Sequence, residues 1–410
     1  MSLSTGNALA ALGVSWAAFQ CAAAAIAIVR ARSLGPVDPR MVLAEPLGSD
    51  VLLVRPLAGD EPGLYERLVR TGGATRVLFA VRDEQDGAFD QASRAIGVLE
   101  RRGLDASLVL THAVGPNLKS DQLARAVATL ATVPRVVTVA DSDVDLQEGA
   151  IATLAAPLLR GEGPHATFAP FACVCEGSEA TLGDRALVAT LAASLHAFPF
   201  LVGIDSTLFV GKLFAIRADS LEKIGGFSSL TDVLGEDVEM RRRLDAHGFR
   251  AETVPIVARA TRTGRSVGEA ISRMERWLAV VRAQRTHLLV SYPVLMAGIL
   301  PLLVFSMVVS RSAGEPYALA LWIAALTAVF ARLVVALEGR RHSGQRRGVA
   351  TALVDVFASD ALLLFSLAKA LGSRNVTWRG ETLRLQGKTL ARVTRDRVRH
   401  PGIVAGGSLP

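Results

Sequence analysis

The segment RVVTVADSDVDL, residues 135–146, passes from an apolar run directly into aspartates at alternate positions. The run is typical of a buried strand, so Asp141, Ser142 and Asp143 would lie at the carboxyl end of that strand. Carboxylates held this close repel each other unless a cation lies between them. The spacing therefore fits either a solvated turn or a site for a divalent metal ion and its phosphate ligand.

Two later segments also carry side chains suited to chemistry. GEDVEMRRRLDAHG, residues 235–248, places Glu236 and Asp237 at a predicted helix start, where carboxylates complement the positive end of the helix dipole. RMERW, residues 273–277, lies in a stretch with apolar residues on one face and arginines on another. That pattern also fits an amphipathic helix on a membrane surface, so each segment alone remains open to a structural interpretation.

An α/β domain is predicted to position these residues. Apolar strand patterns alternate with helical patterns across residues 48–262, which indicates a mostly parallel sheet. Ligands bind such sheets beyond the carboxyl ends of the strands. Asp83 and Asp141 each follow a predicted strand and would face the same crevice. The strands are predicted at 50–55, 75–81, 106–111 and 135–140.

Apolar stretches flank this domain. Residues 8–29 carry no charge and are long enough to cross a hydrocarbon core of about 30 Å. No basic stretch precedes them, so they indicate an uncleaved anchor and not a signal peptide. Residues 288–309 and 317–337 are predicted to cross the membrane as well. Arginines follow the span 8–29 and recur in residues 338–347. By the positive-inside rule, these arginines indicate that the domain between residues 29 and 288 lies in the cytoplasm.

Two further segments are predicted to lie at the membrane surface or inside it. Residues 263–286 would form an amphipathic interfacial helix. The apolar stretch 349–372 contains Asp355, Asp360 and Lys369, and the basic tail 373–410 follows it. A full crossing would place that tail outside, against the charge bias, so a re-entrant or interfacial helix is favoured over a transmembrane one.

Composition excludes several function classes. Half of the 410 residues are hydrophobic, and the basic residues behind the net charge of +7 cluster beside apolar runs. Such clusters suit anionic lipid headgroups, and nucleic acid is not an expected partner. No G-x-G-x-x-G follows the first strand and no Walker motif occurs, so the sequence gives little support for a dinucleotide-binding or P-loop function.

In this order and between apolar spans, the motifs resemble those of family-2 glycosyltransferases that are processive or act on lipids, and most closely those of ceramide glucosyltransferases. The sequence is also similar to bacterial hopanoid-associated glycosyltransferases. The resemblance covers about residues 50–385, and Lys212 in FVGKLFAIR departs from the ceramide pattern. The matching motif residues are Asp83, Asp141 and Asp143, Glu236 and Asp237, and Arg273, Arg276 and Trp277.

The resemblance implies a GT-A fold, a Rossmann-like α/β domain, and a role for each of these residues. Mg²⁺ or Mn²⁺ would be held by Asp143 together with Asp141 against the diphosphate of a UDP-sugar. Asp237 would be the base that activates the acceptor hydroxyl. The remaining assignments are Asp83, Lys119, Asp141, Arg273 and Arg276 to the donor, and Trp277 and Glu236 to the acceptor side.

The expected function is transfer of a hexose, with glucose favoured, from a UDP-sugar to the primary hydroxyl of ceramide with inversion. The expected protein crosses the bacterial inner membrane several times and binds membrane lipids. A hopanoid or another lipid is the alternative acceptor. A membrane-anchored protein that binds nucleotide sugars without catalysis is the second alternative.

Overall fold

The structure, a computed structural model, describes residues 2–38, 40, 47–175, 180–261, 263–345, 348–378 and 381–392. An α/β domain lies between apolar helices on its N-terminal and C-terminal sides, and a small sheet follows the last helix. The helices are α1 (Leu3–Ala31), α2 (Leu64–Leu68), α3 (Phe89–Arg101), α4 (Leu118–Ala128), α5 (Ala150–Leu159), α6 (Leu182–Ala193), α7 (Phe198–Ile204), α8 (Ala218–Lys223), α9 (Glu236–Ala246), α10 (Val267–Gln284), α11 (Ile299–Val309), α12 (Glu315–His342) and α13 (Val349–Gly372).

The main sheet has seven strands in the order β3-β2-β1-β4-β8-β6-β9. Strand β8 runs antiparallel to both of its neighbours, and the other pairs are parallel. This confirms the predicted α/β class with a mostly parallel sheet. The strands of this sheet are β1 (Val51–Pro56), β2 (Arg76–Val81), β3 (Asp105–Leu110), β4 (Val136–Ala140), β6 (Ala166–Phe168), β8 (Leu213–Arg217) and β9 (Ala251–Thr253).

The centre of the main sheet is buried on both faces. Every residue of β1 and β4 is buried, as their continuous runs of valine, leucine and alanine require. The strand order reverses between these two strands, because β2 and β3 lie on one side of β1 and β4 on the other. A crevice beyond the carboxyl ends of the strands forms at such a reversal.

Two smaller sheets complete the fold. Strands β5 (Val144–Asp145), β10 (Ala258–Ala260) and β7 (Phe171–Cys173) form one, next to the aspartate segment. Strands β11 (Asn375–Trp378), β12 (Glu381–Gln386) and β13 (Thr389–Arg392) form the other, an antiparallel sheet. These three strands lie in the segment predicted as a basic tail. Each contributes a buried apolar residue, Val376, Leu383 or Leu390, to one hydrophobic cluster, which explains why the segment folds. The rest of that tail, from residue 393, lies outside the described residues.

Four helices of the described chain are long and apolar enough to cross a membrane: Leu3–Ala31, Leu182–Ile204, Glu315–His342 and Val349–Gly372. The helices Thr286–Met296 and Ile299–Val309 meet at a 65° bend and could together make one more span. The sequence analysis did not predict 182–204, of which 78% of the apolar window is buried inside the protein. Its contacts with α12 and α13 make it an internal helix around which the others pack.

Polar side chains stabilise the break in the bent helix pair. Asp360 on α13 accepts hydrogen bonds from the backbone N–H groups of Ile299 and Leu300, at 2.7 and 2.9 Å, and so caps α11. Arg332 on α12 donates to the carbonyl of Met296 at 3.2 Å. Backbone groups that a break would leave unsatisfied in an apolar environment therefore have partners.

Candidate active site

A cleft of about 700 Å³ opens beyond the carboxyl ends of β1 and β4, where the strand order reverses. Several parts of the chain line it, among them the loops after β1 and β2, the start of α4, the aspartate segment after β4, the turn before β8, strands β7 and β11, and the helices α9 and α10. The sequence-predicted residues on its wall are Lys119, Asp141, Asp143, Glu236, Asp237, Arg273, Arg276 and Trp277.

Two buried arginines hold the aspartate segment in place from below. Arg55 on β1 donates from Nη2 to the carbonyl oxygens of Asp141 and Val144, at 3.0 and 2.8 Å. Arg67 donates from Nε to the carbonyl oxygen of Ser142 at 2.9 Å. Charge-assisted bonds to three carbonyls of one short turn fix its backbone, so the aspartate side chains point into the cleft from a rigid base.

Lysine ammonium groups neutralise the carboxylates of Asp141 and Asp143, and that of Lys212 lies between the two. The Nζ of Lys119 is 2.8 Å from Asp141 Oδ1, and the Nζ of Lys212 is 3.2 Å from Asp141 Oδ2 and 2.5 Å from Asp143 Oδ1. Burial alone would raise the pKa of Asp143, but Lys212 and Arg273 outweigh it and hold that pKa well below its usual range. The repulsion between the carboxylates is therefore relieved by cations that belong to the chain itself.

The donor set of this arrangement does not fit a divalent metal ion. Both oxygens of Asp141 and one oxygen of Asp143 face ammonium groups, and Asp143 Oδ2 faces Arg273 at 3.6 Å and Arg265 at 3.8 Å. Within the described ranges, no group of three or more His, Cys, Asp or Glu side chains is placed to hold a metal. The metal site expected at Asp141 and Asp143 thus stays a prediction.

Glycine at position 235 presents the pair Glu236 and Asp237 to the cleft. Gly235 has a φ of +75°, and a β-carbon there would come within 2.4 Å of Val280. The next residue begins α9, so both carboxylates emerge at the amino end of that helix. Glu236 Oε1 lies 3.2 Å from Lys119 Nζ, and Asp237 Oδ2 accepts a hydrogen bond from the N–H of Gly211 at 3.1 Å.

The pKa of Asp237 is shifted in the direction that a general base requires. Removal from water, the largest effect, and the neighbouring Glu236 carboxylate raise this pKa to about 6, although Lys119 opposes the shift. A carboxylate with a pKa near the working pH takes up a proton more readily than an ordinary aspartate and is still ionised above pH 6.

The C-terminal sheet and α10 hold the loop before Glu236 from two sides. The N–H of Leu234 donates to the carbonyl of Lys388 at 3.0 Å, and the N–H of Leu390 donates to the carbonyl of Asp232 at 2.7 Å. From α10, Gln284 donates to the carbonyl of Gly235 at 3.1 Å. The position of the two carboxylates therefore depends on residues about 150 positions further along the chain.

The predicted RMERW segment lies on α10, and its arginines and tryptophan face the cleft. The Arg273 guanidinium lies 5.1 Å from the centre of the Trp277 ring, and that of Arg276 lies 5.4 Å from the centre of the Trp378 ring. Guanidinium groups stacked on indole rings keep a fixed orientation. Trp378 on β11 was not predicted as a site residue, because its segment was predicted to be part of a basic tail.

One wall of the cleft is aromatic and borders the apolar helices. Phe198 packs edge-on against Trp277, with ring centres 5.4 Å apart, and Phe171 does so at 6.0 Å. Behind them, buried His196 pairs with the hydroxyl of Tyr292, which begins the bent apolar segment. The cleft is therefore charged on the side of the main sheet and apolar on the side of the helices.

Asp83 is placed differently from the other predicted residues. It follows β2 as expected, accepts a hydrogen bond from the N–H of Gln85 at 3.0 Å, and is not among the described residues that line the cleft. Its neighbours Arg82 and Asp86 do line it. The sequence analysis assigned no role to the lining residues Arg82, Asp86, Phe171, Phe198, Lys212, Arg265 and Trp378.

Solved structures that are similar to this chain include two glycosyltransferases. The mannosyltransferase PcManGT from Pyrobaculum calidifontis, in complex with GDP-Man and Mn²⁺, is 18% identical over 88% of this chain and 99% of that chain, with a TM-score of 0.46. Glucosyl-3-phosphoglycerate synthase from Mycobacterium tuberculosis, in complex with Mg²⁺ and UDP, is 18% identical over 59% of this chain and 82% of that chain, with a TM-score of 0.34.

Comparison with protein families gives a match over most of the sequence. No curated protein matches the chain. The model of glycosyl transferase family 21, in contrast, matches residues 12–391, a range that includes every lining residue of the cleft and all but the first residues of the apolar helices on both sides. The chain belongs to glycosyl transferase family 21.

Proposed function

We propose that this glycosyltransferase moves a hexose from a UDP-sugar to a hydroxyl group of a membrane lipid with inversion, and that ceramide is the acceptor and glucose the sugar. The observation that carries the proposal is the two-sided cleft. Cations and a carboxylate with a raised pKa line one wall, and an aromatic wall borders helices able to cross a membrane. A charged donor and an apolar acceptor require such a division.

The cationic wall supports a diphosphate site. Lys119, Lys212 and Arg273 converge on Asp141 and Asp143, and Arg276 lines the same cleft. A sugar nucleotide carries two phosphate charges, and its leaving group gains a third when the glycosidic bond breaks. Fixed cations in a partly desolvated site stabilise that developing charge. The nucleoside would extend toward the loop that follows β2, the region of Asp83.

The position and pKa of Asp237 support its role as general base. Inversion needs one attack on the anomeric carbon, by an acceptor oxygen on the face opposite the leaving diphosphate. Asp237 would take the acceptor proton as the new bond forms. Glu236, held by Lys119 and by Asn117 Nδ2 at 3.2 Å, would keep the pKa of Asp237 raised and lie on the acceptor side.

The aromatic wall supports a lipid acceptor. Trp277, Phe171 and Phe198 form an apolar surface beside the cleft, and the buried ring of His196 lies between this surface and Tyr292 of the bent apolar segment. Such rings suit the upper part of a lipid chain, and the hydroxyl would then reach Asp237. We place the α/β domain in the cytoplasm, with the apolar helices in a bacterial inner membrane, from the distribution of arginines.

The experiment that tests this proposal uses the purified full-length protein in lipid nanodiscs. The protein is incubated separately with UDP-glucose, UDP-galactose and GDP-mannose, each with ceramide or with a hydroxylated hopanoid, and the lipid extract is analysed by mass spectrometry. Glucosylceramide formed from UDP-glucose supports the proposal, and glycosylated hopanoid supports the alternative acceptor. Binding of a nucleotide sugar without any glycolipid product would indicate the non-catalytic alternative.

The pH profile of transfer follows from the raised pKa of Asp237. Only the ionised carboxylate can accept a proton, so lowering the pH through about 6 removes the base, whereas an ordinary aspartate would stay ionised down to about its usual 3.8. We therefore expect the donor-saturated rate to fall with decreasing pH below about 6. Rates measured across a pH series check this, and a rate that is flat to about pH 4 would contradict the assignment.

Arg276 offers a test of the cleft's arginines. Arg276→Lys retains the charge but loses the planar group that stacks on Trp378, and it cannot make paired contacts to phosphate oxygens. We expect transfer to fall on the order of tenfold while the protein stays in the membrane fraction. Arg282→Lys on the same helix, where the arginine contacts the carbonyl of Leu371, is the matched control. If both variants and the wild type showed equal rates of transfer, Arg276 would have no role in transfer, and α10 would serve only to anchor the domain at the membrane.

A further inference from the structure

Lys212 is fixed at the point where the two site aspartates meet. It directly precedes β8, and because β8 runs antiparallel to β4, Lys212 lies opposite Asp141, whose N–H donates to the Lys212 carbonyl at 2.9 Å. The side chain is only 11% exposed, and its Nζ lies 5.3 Å from the centre of the Phe171 ring. The backbone pairing and the aromatic neighbour therefore aim the ammonium group at the carboxylates.

The charges around Lys212 are arranged as they would be around a bound cation. Its ammonium group bridges Asp141 Oδ2 and Asp143 Oδ1 at 3.2 and 2.5 Å, and it still lines the cleft. Lys119 and Arg273 lie on the outer sides of the same two carboxylates, at 2.8 and 3.6 Å. A positive charge held by two carboxylates and open to a cleft is what a diphosphate leaving group requires.

We propose that the Lys212 ammonium group supplies the charge that stabilises the departing diphosphate, so that this enzyme transfers sugar without a divalent metal ion. The inference rests on the proposed function above. In the step, the bond between the anomeric carbon and the β-phosphate oxygen breaks, and its electron pair leaves with the nucleoside diphosphate. The acceptor oxygen forms the new bond to the anomeric carbon, and its proton passes to Asp237. Lys212 stabilises the negative charge that the diphosphate gains, and Lys119 and Arg273 lie beside it.

An ammonium group and a metal ion cannot both occupy this position. A magnesium ion bound by Asp141 and Asp143 would lie about 2.1 Å from a carboxylate oxygen of each. The Nζ of Lys212 lies between those same oxygens, so the ion would need the space that the lysine fills. Removing the ammonium group should consequently open the position to a divalent ion. Lys212→Met is the substitution of choice, because it keeps the length of the side chain and removes its charge.

The test measures binding of UDP to the full-length protein by calorimetry, in excess EDTA and then with Mn²⁺, and binding of Mn²⁺ alone by electron paramagnetic resonance. We expect wild type to bind UDP equally well under both conditions and to take up no stoichiometric Mn²⁺. Lys212→Met in EDTA should lose affinity for UDP on the order of tenfold, the size of a lost charge-assisted contact. Mn²⁺ should restore that affinity and bind at one ion per chain.

Two controls separate charge from other effects of the substitution. Lys212→Arg keeps the charge and should therefore lose less affinity for UDP in EDTA than Lys212→Met does. Lys223→Met removes a lysine that also lies over a phenylalanine, at 5.7 Å from the Phe249 ring centre, but outside the cleft, and should bind as wild type under both conditions. The wild-type comparison in EDTA decides the question even where Lys212→Met fails to fold.

Three outcomes overturn the inference. Loss of UDP binding by wild type in EDTA, with recovery in Mn²⁺, would assign the role to a metal and leave the proposed function standing. Unchanged UDP affinity of Lys212→Met in EDTA would show that Lys212 does not face the diphosphate. Absence of UDP binding by wild type under both conditions would overturn the proposed UDP-sugar donor together with this inference.

Discussion

Asp237→Asn is expected to lower kcat by about two to four orders of magnitude, the usual contribution of a general base, with donor affinity nearly intact. The substitution keeps the shape of the side chain and its place beside the Gly211 N–H but cannot accept the acceptor's proton. The carboxylate lies at the amino end of α9, where Gly235 and the C-terminal sheet position it, so the amide should occupy the same place. Single-turnover rates at saturating donor and acceptor, together with UDP binding, measure the two effects separately.

A matched control lies on the same helix. Asp245→Asn replaces a partly exposed aspartate that pairs with Arg241 at 2.9 Å, away from the cleft, and should leave kcat within about twofold of wild type. If Asp237→Asn lost UDP binding while the turnover of bound substrates held, Asp237 would be a donor ligand and not the base.

Asp143→Ala is expected to lower the rate of transfer by about two orders of magnitude or more. The reason is that the Asp143 carboxylate holds three cationic side chains in place. Lys212, Arg273 and Arg265 all face this one side chain, at 2.5, 3.6 and 3.8 Å. Without the carboxylate, these like charges repel one another and the diphosphate meets a displaced set of donors. Transfer rates and UDP affinity of the variant, with its thermal unfolding to show that it is folded, test the expectation.

Asp145→Ala is the control for that substitution. Asp145 lies two positions along the chain, and its partner Arg70, at 2.7 Å, is largely exposed and does not line the cleft. Breaking this pair should cost little in activity, because solvated ion pairs contribute little. Similar losses in both variants would mean that the segment as a whole had been destabilised and that Asp143 has no special role.

Much of the fold was predictable because it depends on local pattern. The buried strands and the helices between them follow from runs of valine, leucine and alanine, and the sheet they form is mostly parallel as expected. The order of the acidic and arginine motifs similarly indicated the family that the whole-chain match shows.

The features that escaped prediction depend on contacts between distant segments. The segment FVGKLFAIR does not reveal that β8 pairs antiparallel with β4. Only that pairing brings Lys212 next to Asp141. The apolar segment 182–204 gave no sign that it packs inside the protein, since periodicity cannot distinguish a buried helix from one that faces lipid. Trp378 reaches the cleft because its sheet pairs with the loop before Glu236, a contact across more than 100 residues.

The pairing of the C-terminal sheet with residues 232–235 has a consequence for the biogenesis of the enzyme. The proposed base is synthesised in the middle of the chain, but the backbone that supports it on one side comes from residues 388 and 390. Every apolar helix that follows the α/β domain must be made, and folded back, before that support arrives. A nascent chain that ends after α10 therefore lacks Trp378 of the cleft wall and the strands that hold residues 232–235, and the cleft is complete only once β11, β12 and β13 have been made and the C-terminal helices are in place.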